Sequence, residues 1–370
     1  MTAYIIRRLL FMVPTLFGIM LVSFVVVQFA PGGPVERVIA QLTGSDTGAT
    51  SRISGSPGGD FGSRGQPGSA TVEAVSSKYR GAQGLDPEFI KSLEKQFGFD
   101  KPAYERFFLM LWNYARFDFG KSYFRDTTVL QLIKEKLPVS ISLGIWLTLL
   151  TYLISIPLGI RKAVRDGSQF DVWTSGAIIV GYAIPGFLFA ILLIILFAGG
   201  SFFNFFPLRG LTSDNWALLP WYSKILDYFW HLVLPIISMG LAAFATMTLL
   251  TKNSFLDEIR KQYVLTARAK GNTERQVLYG HVFRNAMLIV IAGFPGAFVH
   301  AFFSGSLLIE TIFSLDGIGL LGFESVLNRD YAVVFATLYI LSLVGLVVNL
   351  ISDLTYTWVD PRIDFETREV

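Results

Sequence analysis

Apolar stretches long enough to cross a bilayer occur six times along the chain, and polar segments separate them. The apolar core of a bilayer, about 30 Å thick, needs about 20 residues of helix, and each stretch reaches that length. The pattern therefore predicts an all-α polytopic membrane protein with six transmembrane helices. The predicted spans are 9–29, 139–160, 172–198, 229–250, 287–309 and 333–358.

The first stretch follows Arg7 and Arg8 and ends at the segment 31–34, Pro-Gly-Gly-Pro, which stops a helix. A cleaved signal peptide would share this basic start and apolar middle. However, the apolar run is about twice the usual length of a signal, and Pro31 follows Ala30 where cleavage would be expected. We therefore interpret residues 1–30 as an uncleaved transmembrane helix.

The polar segment 31–138 after this helix has two parts. Residues 41–70 contain eight glycines and six serines with almost no large apolar side chain. Such a composition cannot bury enough surface to offset chain entropy, so disorder is predicted there.

The second part, 86–135, is predicted to be a small helical cap outside the cytoplasm. Asp86 begins a helical pattern that ends at Gly98, and an aromatic-rich pattern follows from Pro102 to about Phe117. A pair of interfacial helices with no role beyond packing explains the same pattern equally well.

Composition agrees with a membrane protein. Hydrophobic residues make up 52% and charged residues 16% of the 370 residues, against about 25% charged in soluble domains. The chain has no cysteine, which excludes disulfides and cysteine-based metal sites, and its three histidines are far apart in sequence. A net charge of +3 gives no reason to expect a nucleic-acid partner.

Basic residues in the short loops predict that both termini are cytoplasmic. With the N-terminus inside, the cytoplasmic segments hold fourteen lysines and arginines, against three in the two short outer loops. The segment 31–138 is left out because long segments translocate largely regardless of charge. Residues 359–370 are then a cytoplasmic tail.

The loop 254–286 is polar, basic and helical in pattern. Residues 254–270 are predicted to form one helix that Gly271 ends in a left-handed conformation. Thr273 with Gln276 predicts a capping box that starts a second helix. The result would be a compact helix-turn-helix at the membrane surface. Its predicted apolar faces are Phe255, Ile259 and Tyr263 on the first helix and Val277, Leu278 and Val282 on the second.

Motifs along nearly the whole chain, except about 38–80, resemble those of ABC importer permeases. They include Phe97-Gly98-Phe99-Asp100-Lys101-Pro102, Ile184-Pro185-Gly186-Phe187, Thr266-Ala267-Arg268-Ala269-Lys270-Gly271, Arg284-Asn285-Ala286, Gly305-Ser306-Leu307-Leu308-Ile309-Glu310 and Asp360-Pro361-Arg362. The set of motifs and their order along the chain resemble those of the oligopeptide/dipeptide branch of these permeases. Three features make the chain most similar to the Yej-type group, which imports peptides including microcin C. They are the Gly/Ser-rich segment, Ile160-Arg161-Lys162-Ala163-Val164 and Lys252-Asn253-Ser254-Phe255-Leu256-Asp257-Glu258.

The resemblance implies the type I importer permease fold, with a helical periplasmic insertion at 31–138 and a five-helix core at 139–358. The chain would be the permease subunit of an ATP-driven importer that moves oligopeptides, microcin C-like antimicrobial peptides among them, across the bacterial inner membrane. Implied partners are a sister permease in a heterodimer, two ATP-binding subunits or one fused ATPase, and a periplasmic peptide-binding protein.

The loop 254–286 would dock on the ATPase. The family's acidic letter in this loop is Leu265 here, so no carboxylate role is assigned to that position. Topology and anionic lipids account for most of the loop's basic charge, and we assign docking to the glycine break and the apolar faces beside it. Residues implied in coupling are Tyr263, Thr266, Ala267, Arg268, Ala269, Lys270, Gly271, Asn272, Arg284 and Asn285.

Candidate pathway residues are fewer. Pro185 permits a bend in a span, and Phe187 and Ser306 belong to the quoted motifs. Glu310 could meet a peptide amine at the outer mouth, or it could cap the short helix that follows.

No nucleotide-binding motif is evident. Gly120-Lys121-Ser122 resembles the end of a phosphate-binding loop, but Ala115 replaces the earlier glycine. The chain is therefore expected to be no enzyme and to hold no cofactor, with ATP and magnesium bound by a partner subunit.

Two other classes stay open from the residues alone. An intramembrane serine protease could use Ser304 or Ser306 with His231 or His300, although no motif pairs them. A secondary transporter would typically show more spans and buried carboxylates along its path.

Overall fold

The computed structural model describes residues 2–29, 35, 38–39, 88, 91, 94–95, 100–199, 202–303 and 307–359. Over these ranges the chain is helical, and the only β feature is an isolated bridge between Lys121 and Thr128. The predicted all-α class is confirmed. The predicted disorder at 41–70, most of the predicted helix at 86–98 and the tail from residue 360 lie outside the described residues.

The helices are numbered here in chain order. They are α1 (Thr2–Phe29), α2 (Ala103–Tyr114), α3 (Val129–Val164), α4 (Gln169–Ala183), α5 (Gly186–Phe197), α6 (Trp221–Ile259), α7 (Gln262–Ala269), α8 (Glu274–Val277), α9 (Phe283–Ala286), α10 (Leu288–Phe303), α11 (Leu307–Ile312), α12 (Ile318–Asn328) and α13 (Tyr331–Val359). A 3₁₀ turn spans Trp216–Leu218, and a π-helical segment, Leu278–Val282, joins α8 to α9.

Four described helices, α1, α3, α6 and α13, are each long and apolar enough to cross a membrane. Two bent pairs pass the same test of length and composition. One is α4 with α5, bent by 96°, and the other is Glu274–Ala286 with Leu288–Ala297, bent by 46°. The predicted spans 9–29, 139–160, 229–250 and 333–358 therefore lie mostly within the four continuous helices, and the described residues give up to six spans if each bent pair counts as one.

The predicted span 172–198 is not one straight helix. Ile184 is extended, with φ −83° and ψ 120°, and Pro185 precedes the first residue of α5. Proline removes a backbone donor and disfavours helical geometry in the residue before it, so the pair Ile184-Pro185 breaks the helix.

The chain divides into two compact units. The first comprises Met1–Val13, Ile133–Leu321 and Leu341–Val370. One of its apolar clusters joins α3, α5, α6 and α11, and a second lies beneath the loop that follows α6. Members of the first cluster include Leu143, Ala190, Leu193, Leu232, Ile309 and Phe313.

The second unit comprises Pro14–Leu132 and Gly322–Ile340 and has an aromatic core. Tyr114 lies edge-on to Phe119, with ring centroids 5.0 Å apart, and also contacts Tyr339 at 5.4 Å. A buried polar contact accompanies the rings, since the Ser122 hydroxyl donates to the Asp330 carboxylate. Helix α2 packs into this unit, and it ends at Tyr114 rather than near Phe117.

Helices α3 and α6 of the first unit approach closely at Gly159. A Cβ at Gly159 would lie 2.6 Å from Thr251 Cβ and 2.8 Å from the Thr248 carbonyl oxygen. Because the Thr248 oxygen belongs to the backbone, it cannot rotate away. The two helices are therefore held at a distance that only glycine permits.

We predict that Gly159→Ala destabilises the protein by about 1–3 kcal/mol through overpacking of α3 against α6. Gly176→Ala in α4 is the matched control, because nothing lies within 4 Å of its Cβ. Melting temperatures of both purified variants are the measurement. Equal melting temperatures for Gly159→Ala and wild type would contradict the close approach.

Candidate functional site

The segment that follows α6 forms a helix-turn-helix, but its first helix is not continuous from 254 to 270 as predicted. Helix α6 runs on to Ile259, Lys261 is extended with φ −78° and ψ 153°, and α7 starts at Gln262. The predicted single helix is therefore wrong at this point. Glu258 stabilises the break, because its carboxylate accepts hydrogen bonds from the Lys261 ammonium and, at 2.7 Å, from the Tyr263 hydroxyl.

The turn at Gly271 has the geometry that the sequence predicts. Its φ is +81°, in the left-handed region. The Gly271 N–H donates to the Arg268 carbonyl at 2.9 Å, and the Asn272 N–H donates to the Ala267 carbonyl at 3.4 Å. This pair of bonds is a Schellman motif, which satisfies the last carbonyls of α7 and reverses the chain.

Two side-chain contacts fix the restart of the helix. Thr273 and Gln276 form the predicted capping box: the Thr273 N–H donates to Gln276 Oε1 at 2.9 Å, and the Gln276 N–H donates to Thr273 Oγ1 at 3.4 Å. Across the turn, the Arg268 guanidinium binds both oxygens of Glu274, at 2.8 and 2.9 Å. A two-pronged contact of this kind restricts the angle between α7 and α8.

Apolar side chains attach the helix-turn-helix to the longer helices. Phe255, Val264, Val277 and Val282 are each at most 2% exposed and share a cluster. That cluster also contains Ile160 and Ala163 of α3, Met247 of α6 and Val290 of α10. The predicted apolar faces therefore hold the loop against the ends of three helices.

The structure separates the ten predicted coupling residues by exposure. Ala267 is buried at 5% and supports the loop by packing, whereas Tyr263 and Asn272 are half-buried. The exposed members are Thr266, Arg268, Ala269, Lys270, Gly271, Arg284 and Asn285.

Two large exposed side chains of this loop were not among the predicted residues. Leu265 is 60% exposed and Tyr279 is 56% exposed. Leu265 was interpreted only as a missing carboxylate, and since single exposed apolar residues are common on protein surfaces, the sequence held no clear signal for it.

Tyr263 remains protonated over the physiological range. Burial raises the pKa of its hydroxyl, and the neighbouring Glu258 carboxylate raises the pKa further, while a hydrogen bond with Asn285 opposes both effects. The hydroxyl therefore serves as a donor that ties α7 to the end of α6.

A buried cation lies at the end of α3. Its charge was counted above only as a signal of membrane topology. The Lys162 side chain is fully buried, and its Nζ lies 3.0 Å from Asp171 Oδ1. It also donates to the hydroxyls of Thr174 and Ser175, at 2.7 and 2.8 Å. Since a buried charge requires such partners, α3 and the first turns of α4 are held together.

Asp171 links the same site to α6. Lys252 Nζ lies 2.7 Å from Asp171 Oδ2 and 3.0 Å from Asp166 Oδ1. Lys252 is on α6, one turn before Phe255 of the loop cluster. A sequence signal existed: Ser168 followed three residues later by Asp171 is a capping pattern, and the Ser168 side chain does accept the Asp171 N–H.

The predicted pathway residues occupy different environments. A cavity of about 840 Å³ opens in the first unit, and Phe187, Tyr182 and Thr148 are among the residues that line it. Pro185 lies beside it as the cap of α5. Glu310 is fully buried and accepts the Leu320 N–H at 2.7 Å, as a cap of α12. Ser306 lies outside the described residues.

No protease-like arrangement occurs among the described side chains. His231 Nδ1 lies 2.8 Å from the Asp227 carbonyl, and the Ser213 hydroxyl donates to the Asp227 carboxylate rather than to the imidazole. Ser304 lies outside the described residues, as does the side chain of His300. Within the described ranges no group of His, Asp and Glu could hold a metal ion.

We predict that Asp171→Asn destabilises the protein by the order of 3 kcal/mol, because it leaves the buried Lys162 without its counter-charge. Asp316→Asn is the control, since that carboxylate is 63% exposed where it pairs with Lys136 and a surface pair contributes at most about 1 kcal/mol. Melting temperatures measure both. An unchanged melting temperature for Asp171→Asn would show that the pair does not hold α3 to α4.

Comparisons with known proteins agree along the whole chain. Residues 155–365 match the family model described as the binding-protein-dependent transport system inner membrane component. The chain is 69% identical over 370 residues to the peptidoglycan transport system permease protein YejB of Agrobacterium fabrum, covering 100% of both chains. It is 59% identical over 368 residues to the inner membrane ABC transporter permease protein YejB of Escherichia coli O157:H7, also over 100% of both.

A third relative is more distant. The oligopeptide transport system permease protein AppB of Bacillus subtilis is 33% identical over 370 residues, covering 99% of this chain and 100% of AppB. A family match over more than half of the chain and relatives of this identity lead to one assignment. The chain belongs to the family of binding-protein-dependent transport system inner membrane components.

Proposed function

We propose that this chain forms one half of a peptide-conducting path in an ATP-driven importer of the bacterial inner membrane, with both termini in the cytoplasm. The observation that carries the proposal is the exposed helix-turn-helix at α7–α9, which is anchored by apolar packing to α3, α6 and α10. Relatives named as peptidoglycan and oligopeptide transport permeases support a peptide substrate.

As a family member the chain is a transport component and not an enzyme. Neither a serine protease nor a secondary transporter is supported by this membership. The family description implies an ATPase, a sister permease and a substrate-binding protein as partners. We further propose that the ATPase, as two subunits or one fused chain, binds ATP and magnesium, and that the binding protein is periplasmic and delivers the peptide.

Force reaches the membrane through α6. This single helix runs from Trp221 to Ile259 and includes both a membrane-length stretch and the residue Phe255 that anchors the loop. When ATP binding moves the docked ATPase, a displacement of α7 is passed to α6 because the cluster between them is close-packed. The Asp171 contacts with Lys162 and Lys252 extend the coupling to α3 and α4.

The cavity of the first unit suits a peptide of variable sequence. None of the residues that line it is charged, so it imposes no charge selection on peptide side chains. Hydroxyl groups of Thr148, Thr151 and Ser238 lie among apolar neighbours. Thr151 Oγ1 is buried and has no hydrogen-bond partner in the described part of the chain. A facing surface on the sister permease would complete the path.

The proposal is tested by ATP-dependent uptake of a labelled oligopeptide into proteoliposomes that hold the complete complex. Gly271→Pro is expected to lower uptake and substrate-stimulated ATP hydrolysis at least about fivefold, the scale of a typical coupling free energy. Proline cannot adopt a φ of +81°, and it has no N–H to donate to the Arg268 carbonyl. Gly271→Asn is the control and should retain more activity, because asparagine tolerates the left-handed region.

If Gly271→Pro shows wild-type uptake and ATP hydrolysis, the proposed docking role of this turn is wrong. Uptake that follows a proton gradient without ATP would instead overturn the proposed importer.

A further inference from the structure

Helix α2 of the second unit buries one face and exposes another that is strongly aromatic. Phe107 and Tyr114 are 4% and 5% exposed. On the other side, Tyr104, Phe108 and Trp112 are 70%, 61% and 58% exposed. Their spacing of four residues places them along one line on the helix, so α2 presents a continuous aromatic stripe that no described part of the chain covers.

The depth of α2 is set by its contacts with α1. The Phe107 ring lies between the rings of Phe17 and Phe24, at centroid distances of 5.7 and 5.2 Å. Phe17 is near the middle of α1, the membrane-length helix Thr2–Phe29. Arg106 donates to Gln28 at 2.9 Å, near the end of the same helix. Helix α2 therefore lies beside the C-terminal half of α1, at the level of the apolar span.

Contacts with a second helix, α13, indicate the same depth for α2. Tyr114 contacts Tyr339, with centroids 5.4 Å apart. Because α13 begins at Tyr331, Tyr339 lies about two turns inside it. The C-terminal end of α2 therefore lies about two turns inside the end of a second membrane-length helix.

The face of α1 that points away from α2 is also apolar and exposed. Val22, Val26 and Phe29 are 63%, 62% and 83% exposed. The stripe and this surface belong to the same compact unit and lie at the same depth, which favours a bilayer over a soluble protein as their common neighbour.

Charged groups occur at the two ends of α2. Glu105 in its first turn lies 3.6 Å from Lys101. Arg116, just beyond its last turn, places its guanidinium 4.2 Å from the ring centroid of Trp112. Long basic side chains flanking exposed aromatic rings are typical of helices that lie in the interface between headgroups and acyl chains.

From these contacts we infer that α2 is embedded in the bilayer leaflet at the C-terminal end of α1, with Tyr104, Phe108 and Trp112 in direct contact with lipid. The helix thereby anchors the insertion that follows α1 to the membrane. The proposed neighbour of α2 is a lipid surface, and this contact does not depend on which substrate is transported.

The test uses the absence of cysteine from the chain. Single variants Tyr104→Cys, Phe108→Cys and Trp112→Cys carry a nitroxide label in the complete complex, assembled with cysteine-free partners in phospholipid nanodiscs. Collision rates with oxygen and with a water-soluble nickel chelate are then measured. Val22→Cys and Val26→Cys serve as lipid references, and Asp126→Cys, exposed in the same unit, serves as the water reference.

All three stripe positions are expected to match the lipid references, with high oxygen and low nickel collision rates. Nickel collision rates equal to that of Asp126→Cys would place the stripe in water and overturn the inference. Immobile labels with low collision rates for both reagents would show a protein partner on the stripe, which also overturns it. A second measurement needs no label and uses brominated lipids, which quench the fluorescence of tryptophans that they contact. Trp112→Phe should reduce the quenched share of the tryptophan fluorescence. An unchanged share would contradict lipid contact.

Discussion

Apolar packing beneath the loop after α6 is the interaction on which the proposed mechanism depends. Helices α7, α8 and α9 have only 8, 4 and 4 residues, and isolated helices of that length are not stable in water. Burial of side chains such as Phe255 and Val264 stabilises them, at about 1.5–3 kcal/mol for each large apolar side chain. A short polar loop becomes a firm extension of α6, and only a firm extension transmits force.

A second physical constraint, backbone hydrogen bonding in a bilayer, explains where the membrane helices break. Backbone groups inside a bilayer must be hydrogen-bonded within the protein, so irregular backbone is tolerated only where it is buried or lines a cavity. Ile184 and Gly186 flank the break at Pro185, and both line the cavity of the first unit. The bend of 96° between α4 and α5 is therefore located beside the cavity that we propose as part of the peptide path.

The sequence predicted those features that depend on local chemistry. Apolar runs located the spans, and Gly271, Thr273 and Gln276 predicted the turn because a left-handed residue and a capping box are local signals. The break at Lys261 was not predicted, since it depends on a carboxylate, Glu258, that contacts both sides of it. Lys162 and Lys252 were counted for topology and belonged to resemblance motifs, but the sequence indicated a structural partner for neither. Their shared partner Asp171 becomes evident only when α3, α4 and α6 pack together.

In the proposed mechanism, the exposed side of the helix-turn-helix touches the ATPase. A photo-crosslinking amino acid at Leu265, 60% exposed in α7, measures this contact directly in the intact complex. Leu226, 69% exposed near the opposite end of α6, is the matched control. The account predicts crosslinks from position 265 to the ATP-binding subunit and none from position 226. An assembled, active complex in which position 265 never crosslinks to the ATPase would contradict it.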